Sequence, residues 1–527
     1  MSDSADDSED TNSDYISFVD SDSSDEEEDD IPVVQPLQPL EPCWSSVLES
    51  SETPPFLCEV GPSHSLGPAD NEKQFFELIF DEKCVNTLTD GTNKYARETQ
   101  ERKGHDPVWY DCTTEEMRAY LGLLIIMGIN KLPDYKLHWS KNKFLANSGF
   151  IEVMPVRRYE KLTQYLHCDS EDTDDPLCKV RPIMNLVSEN ILKSYKPRQH
   201  QTIDEGMIAY KGRHKAKQYI PSKPTRWGLK VWLRCDSISG FCHQLDIYLG
   251  RDQYSRGISV GQEVVLKLTE SLEGKNFHVF YDSFFTSIAL ARSLLEKRIF
   301  SCGTIMRNRK GFPSDLKNLP RMNQGEYVTR QDGKLSATVW MDSRPVAILS
   351  TTASTVEMSA NACRRLKDGT EISVPRPQSV GHYQAFFRGV DIFDQLRSKY
   401  SVGRPSKKWW KYVLHFLINT AIINTFLIMK ESVNLPKKKY RQLDYRLALA
   451  KLLIGTFRTP PKTAARRQLS ENSTTHKLIR LSCKRSYCKN CAKAVPKKRK
   501  DTSFGCGLCE VHLCGKQCFA LFHNIEE

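Results

Sequence analysis

The stretch HVFYDSFFTSIALARSLLEKRIFSCGTI, residues 278–305, runs from apolar and aromatic residues to a carboxylate, then to a helical pattern, then to a second short apolar run. His278–Tyr281 reads as a buried strand, Phe284 to Glu296 as a helix, and FSCGTI as the next strand. Asp282 stands where the first strand stops. A lone aspartate there is ordinarily a solvated loop residue, so its meaning depends on its company.

Upstream, TIDEGMIAY, GLKVWLRCD and FCHQLDIYL follow one another as three strand-like segments rich in β-branched and aromatic residues. A helical stretch from about Gly261 to Leu272 separates them from His278. Three strands, helix, strand, helix, strand is the element order of a ribonuclease-H-like α/β core. From Met306 to Gln378 the chain is basic and turn-rich, with the alternating runs SATVWM and PVAILS, which predicts a β-containing insertion. Helix resumes at RGVDIFDQLRSKY and continues through Met429. Before the core, KQFFELIFDEKCVNTLTDGTNKYARE reads as helix, and Thr113 with Glu116 forms a capping-box pattern ahead of an apolar run. The expected organisation is an acidic tail and linker over 1–70, a helical segment over 71–195, and a catalytic core over 196–305 and 381–432 with an insertion at 306–380. A helical, basic segment over 433–480 and a cysteine-rich domain over 481–527 complete it.

The net charge of +10 is uneven: −14 over residues 1–30, which hold no Lys or Arg, and +24 over the rest. The first segment has too few apolar groups to build a core and is expected to be disordered. The basic remainder has the footprint of a polyanion partner, and nucleic acid fits best. No secretory signal opens the chain. YLGLLIIMGI is too short for a membrane span, and YVLHFLINTAIINTFLIM carries His415, Asn419, Thr420 and Asn424, so no membrane association is expected. The Gly274-Lys275 dipeptide lacks the rest of a phosphate loop, so no nucleotide triphosphate is expected.

Asp204 lies on the first core strand, Asp282 ends the fourth, and Asp391 and Asp394, three apart, share a face if GVDIFDQ is helical. Carboxylates repel one another, so a fold gathers them chiefly around a hard cation such as Mg²⁺ or Mn²⁺. Two such ions activate a water or a 3′-hydroxyl and stabilise the leaving oxygen of a phosphodiester.

Of 17 cysteines, seven fall between Cys483 and Cys518. Cys488 with Cys491 and Cys506 with Cys509 form CxxC pairs, and Cys514, Cys518 and His523 follow, a spacing suited to Zn²⁺. Seven ligands are one short of two sites, and His512 or Cys483 is the candidate eighth. PKKRK, with Lys497, Lys498, Arg499 and Lys500, resembles a short nuclear-import signal, which predicts a nuclear protein, and reads equally as a phosphate-contacting loop. MRNRK, with Arg307, Arg309 and Lys310, and the Lys407-Lys408-Trp409 run are candidate DNA contacts.

IDEGMIAYKGR around Asp204, KPTRWGLK (Lys223–Lys230), YDSFFTS around Asp282, GTIMRNRKGFPSDLK (Gly303–Lys317), GVDIFDQ, CKVRP (Cys178–Pro182) and the cysteine-rich tail together resemble the piggyBac family of DNA transposases, in family order from about residue 72 to the end. The resemblance implies Asp204, Asp282 and Asp391 as catalytic acids, Asp394 as a fourth acidic residue nearby, and Trp409 as the family's important tryptophan. It further implies a homodimer on double-stranded DNA, cut-and-paste transposition through hairpinned ends, TTAA target sites, and a cross-braced zinc domain that binds the transposon end, with a RING-like or histone-reading role as the rival reading of that domain. Ser283 and Gln384 depart from the family's usual Asn at both places, and neither removes a metal ligand.

Overall fold

The computed structural model describes residues 42–168, 170, 174–221, 223, 225–250, 257–365, 369–433, 440–459, 476, 478–481, 483–493 and 499–523. The acidic stretch of residues 1–30 and, within PKKRK, Lys497 and Lys498 lie outside the described residues. The chain forms two compact units, one of residues 1–137 and 160–455 and a second of 138–159 and 456–527.

In the first unit the N-terminal helical stretch is two helices, α1 (Glu72–Glu77) and α2 (Glu82–Lys103), where the pattern had predicted one. The break has a local cause: Asp81 adopts extended backbone and accepts from the Cys84 N–H at 3.0 Å, which starts a new helix. Thr113 caps α3 (Thr114–Ile129) by accepting from the Glu116 N–H. Glu116 does not complete the box; it is buried and accepts from the Tyr110 hydroxyl at 3.4 Å.

Nine strands follow: β1 (His200–Ala209), β2 (Lys217–Tyr219), β3 (Trp227–Asp236), β4 (Cys242–Ile247), β5 (His278–Tyr281), β6 (Phe300–Thr304), β7 (Tyr327–Asp332), β8 (Leu335–Met341) and β9 (Pro345–Ser350). They form one mixed sheet in the order β2-β3-β1-β5-β6-β9-β8-β7, with β4 also on β3. Pairs β1–β5 and β5–β6 are parallel, and the remaining pairs are antiparallel. The segment read as an insertion therefore adds three strands to the same sheet, and only Met358–Arg365 and Glu371–Pro377 stand apart as a two-stranded ribbon.

The run His278–Tyr281 is apolar throughout because both of its faces are covered. Val279 and Tyr281 pack with Val264, Val265 and Leu268 of α4 (Val260–Thr269) and Leu290 and Leu294 of α5 (Ile288–Glu296). Phe280 faces the other way, among Cys302, Trp340, Ile348 and Val380, the last on α6 (Gln378–Phe386). Each such side chain contributes roughly 1.5–3 kcal/mol on full burial. α5 begins at Ile288 and not at Phe284, because Ser287 caps it and Asp282–Thr286 form the turn before it.

α7 (Gly389–Lys399) is laid along β1. The Gly389 N–H donates to Thr202 Oγ1, and a methyl group at Gly389 would stand 2.7 Å from both Thr202 Oγ1 and the Asp236 carbonyl oxygen. α8 (Trp409–Ser432) is long and apolar enough to cross a membrane by composition, yet 89% of its most apolar window is buried inside the protein. Its polar residues are used there: Asn424 binds the Cys242 N–H and carbonyl, and Asn419 accepts from Arg446, on α9 (Gln442–Ile454), at 2.6 Å. Gly389→Ala is expected to destabilise the protein by about 1–3 kcal/mol, since backbone and not a flexible side chain must yield. A thermal unfolding scan checks this; an unchanged midpoint would show that α7 can move off β1 freely.

Candidate active site and metal centres

Three elements position the acids. In the parallel ladder His200 lies opposite His278 and Thr202 opposite Phe280; carried two residues further, that register puts Asp204 level with Asp282. The β1–β5 ladder ends at Thr202 and Phe280, before that level, and Asp282 stands just past the carboxyl end of β5, the end of an open α/β sheet at which ligands bind. The Asp204 carboxylate accepts from the Glu205 N–H at 2.7 Å, and Asp282 from the Phe284 N–H at 3.0 Å.

Asp204 and Asp282 are half-buried. Burial, reinforced by Glu205 and Asp282, holds the Asp204 carboxyl well above the ordinary carboxylate range, with Lys223 pulling the other way. Burial and then Glu205 also raise Asp282, opposed by the Phe284 N–H, Lys223 and Lys230. Burial alone would lower Lys223, but Asp204, Glu205 and Asp394 outweigh it and raise the ammonium. Lys223 Nζ lies 3.1 Å from Glu205 Oε1. Burial lowers Lys230, whose ammonium sits 4.1 Å from the Trp232 ring centre and 4.8 Å from that of Phe284.

Asp394 sits over β1: its Oδ1 is 3.9 Å from where a Gly206 Cβ would be, and Arg397 holds it at 2.9 Å while also donating to the Met207 carbonyl. Asp391, one turn earlier, is exposed. No three of Asp204, Asp282, Asp391 and Asp394 have oxygens mutually within 4.8 Å. The site is thus an all-oxygen donor set with two cations, Lys223 and Arg397, offsetting its charge. Such donors suit a hard divalent ion.

Glu205, Lys223, Lys230 and Arg397 are members that the motif reading missed. The signal for Glu205 and Lys223 was in the sequence: both belong to quoted motifs, but their pairing across 18 residues shows only in the fold. Of the basic candidates, Arg309 donates to the carbonyls of Ser283 and Phe284, fixing its loop to the turn after Asp282. Arg307 is half-buried and Lys310 exposed. Lys407 is exposed, and Lys408 is half-buried with its ammonium 5.2 Å from the Tyr95 ring centre. Trp409 is half-buried against the His214 ring, whereas Trp410 is the core residue of the pair.

In the second unit two four-residue groups have ligand atoms mutually within 4.8 Å: Cys488, Cys491, Cys514 and Cys518, and His476, Cys506, Cys509 and His523. Sγ separations of 3.6 Å among Cys491, Cys514 and Cys518 approach the roughly 3.8 Å edge of a tetrahedron with Zn–S bonds of about 2.3 Å. The groups interleave along the chain. His476 completes the second, with Nδ1 3.4 Å from Cys506 and 3.5 Å from Cys509. Neither expected eighth ligand takes part: on the strand Val511–His512 the imidazole turns to Cys483, at 3.7 Å, away from both groups. His476 was missed because it precedes the first CxxC by 12 residues and belongs to no spacing motif. Arg499 and Lys500 are exposed.

A family model described as Transposase IS4 matches residues 71–426, more than half of the sequence. The chain belongs to the piggyBac family of transposases. Three human relatives illustrate the spread. PiggyBac transposable element-derived protein 5 is 26% identical over 78% of this chain and 81% of its own. Proteins 3 and 2 of the same series are 25% and 27% identical, over 86% and 67% of this chain and 76% and 60% of theirs. A solved structure, the cryo-EM piggyBac transposase synaptic complex with hairpin DNA, superposes with a TM-score of 0.66 at 24% identity, covering 87% of this chain and 98% of that one; this likeness shows the fold.

Two outcomes follow from this geometry. An acid raised in the folded state is protonated in both states below about pH 4 and costs stability only as pH climbs past its ordinary value. Asp204→Asn should therefore raise the unfolding midpoint by a few degrees near pH 7.5 in magnesium-free buffer, with the gain shrinking as pH falls toward 4. A loss of stability at pH 7.5 would contradict the burial cost. For the cysteine-rich unit, elemental analysis of His476→Ala should give about one zinc per chain where wild type and His512→Ala give about two. The reverse pattern would return His512 to the ligand set.

Proposed function

We propose that this protein is a nuclear DNA transposase of the cut-and-paste type, with a ribonuclease-H-like core, acting as a homodimer on double-stranded transposon ends and TTAA targets. The observation that carries the reading is the placement of Asp204, midway along β1, level with Asp282 just past the carboxyl end of the adjacent parallel strand β5, with the Asp391–Asp394 helix along β1. Mg²⁺ or Mn²⁺ held by Asp204, Asp282 and Asp391, with Asp394 nearby, would supply a nucleophile activated at neutral pH and charge stabilisation for the departing oxygen.

The chain's own groups do the rest. Glu205 and Asp394 keep Lys223 and Arg397 folded against the carboxylates, so the charge of the crevice is graded and not uniformly negative. Arg309 locks the turn that aims Asp282, while Arg307, Lys310, Lys407 and Lys408 offer cations to phosphates on either side. Trp409, half-exposed at the start of α8, offers a ring face to a displaced base. The thiolate and imidazole groups suit two Zn²⁺ ions, which would fold a short segment that reads the transposon end. The similar solved structure is of a synaptic complex with hairpin DNA, and hairpinned ends are extended to this chain on that basis.

A second reading is a DNA-binding descendant that has lost cleavage. The human relatives, named as transposable element-derived proteins, support it. Incubation with terminal-repeat DNA and Mg²⁺ separates the two. Wild type should nick and join DNA, whereas Asp204→Asn, Asp282→Asn and Asp391→Asn should each lose more than about 100-fold of cleavage while binding DNA as before. Binding without cleavage by wild type would favour the second reading.

A further inference from the structure

The edge of the sheet carries an aromatic pair that neither the core nor the carboxylate site uses. Tyr219 on β2 and Trp227 on β3 are directly opposed across the strands, with rings 4.6 Å apart and tilted by 41°. Both are open to solvent, Tyr219 at 43% and Trp227 at 46%. Lys217 places its ammonium 4.8 Å from the Trp227 ring centre. Large exposed aromatics on an edge strand invite association, and proteins usually blunt such edges. Here the exposure is kept, in a distinct electrostatic setting. Residues 206–235 contain no Asp or Glu, while Lys211, Arg213, Lys215, Lys217, Lys223, Arg226 and Lys230 fall within or beside the hairpin. Lys211, Arg213, Lys215 and Arg226 are exposed.

The sheet register relates this pair to the acids. Leu233 lies opposite Asp204 on the neighbouring strand, and side chains alternate, so residues 227, 229, 231 and 233 of β3 share the face of Asp204. Tyr219, opposite Trp227, is on that face too. Six residues at about 3.3 Å each set Trp227 roughly 20 Å along the strand from the level of Asp204. That is well within one turn of a bound duplex.

We infer that Tyr219 and Trp227 form a stacking platform for an unpaired base of a DNA strand whose phosphates follow the basic hairpin. The inference rests on the DNA reading above and extends it to a subsite. Three features select this occupant. A duplex hides its base faces, so only a flipped, frayed or single-stranded base presents a π-face to the rings. Aromatic platforms bordered by Lys and Arg are how sequence-tolerant single-strand binding is built. The run of Lys and Arg without an intervening acid in the hairpin disfavours basic partners and favours a polyanion.

Two fluorescently labelled DNAs with equal numbers of phosphates test it, one fully paired and one with a short thymine extension, bound without divalent ions at one fixed salt concentration. Wild type should prefer the extended DNA. Replacing both residues, Tyr219→Ala with Trp227→Ala, should weaken binding of the extended DNA by roughly 5- to 150-fold and of the paired duplex by no more than about twofold. Tyr219→Phe with Trp227→Phe should bind both DNAs like wild type, since the ring faces remain. An equal loss on both DNAs, or undiminished binding of the extended DNA by the alanine variant, would overturn the platform while leaving the DNA reading intact. Failure of wild type to bind either DNA would overturn both.

Discussion

Two carboxylates at the same level on adjacent parallel strands repel each other, and burial raises the cost of ionising either. Much of the surrounding structure answers that repulsion. Lys223 crosses from the hairpin to Glu205, Lys230 rises between Trp232 and Phe284, and Arg397 clamps Asp394 over β1. The two parallel strands that create the problem are held by packing on both faces, with Val279 and Tyr281 on one side and Phe280 on the other. A sheet anchored this firmly can carry an unfavourable charge pair between two of its interior strands without yielding, which is the usual relation between a rigid scaffold and a strained functional site.

The fold was legible wherever one residue pattern had one physical meaning. A run of apolar and aromatic residues such as His278–Tyr281 fits a strand covered on both faces, and over residues 200–304 the three strands, helix, strand, helix and strand read from the sequence are all present, with the short polar strand Lys217–Tyr219 added between the first two because it has no apolar pattern to mark it. What the pattern did not carry was tertiary. The runs SATVWM and PVAILS alternate equally well in a separate body or in a shared sheet, and the pairing of Ile348–Ser350 with Thr304–Cys302 decides for the shared sheet. Asp81 broke a helix that the apolar period alone would continue, because capping acts through one side-chain bond and leaves the period intact.

The site divided in the same way. Asp204 and Asp282 could be singled out because the residues around each, IDEGMIAYKGR and YDSFFTS, form recognisable motifs. Glu205 could not, since its role comes from Lys223 folding back across the hairpin. Trp409 and Trp410 are adjacent and chemically alike, yet the helical turn sends one into the core and leaves the other half-exposed. In the cysteine-rich unit the CxxC pairs declared themselves by spacing, whereas His476 joins Cys506 and Cys509 from outside any motif, and His512, better placed in sequence, turns toward Cys483.

The central claim is that the acids of β1, β5 and α7 hold a divalent cation in common. Diffraction from crystals soaked in Mn²⁺, recorded for anomalous scattering, measures this most directly. The account predicts manganese peaks in the crevice at the carboxyl end of β5, coordinated by oxygens of Asp204 and Asp282 and reached by Asp391. Manganese bound elsewhere, or a crevice in which Lys223 keeps its contact with Glu205 and no ion enters at saturating Mn²⁺, would contradict it.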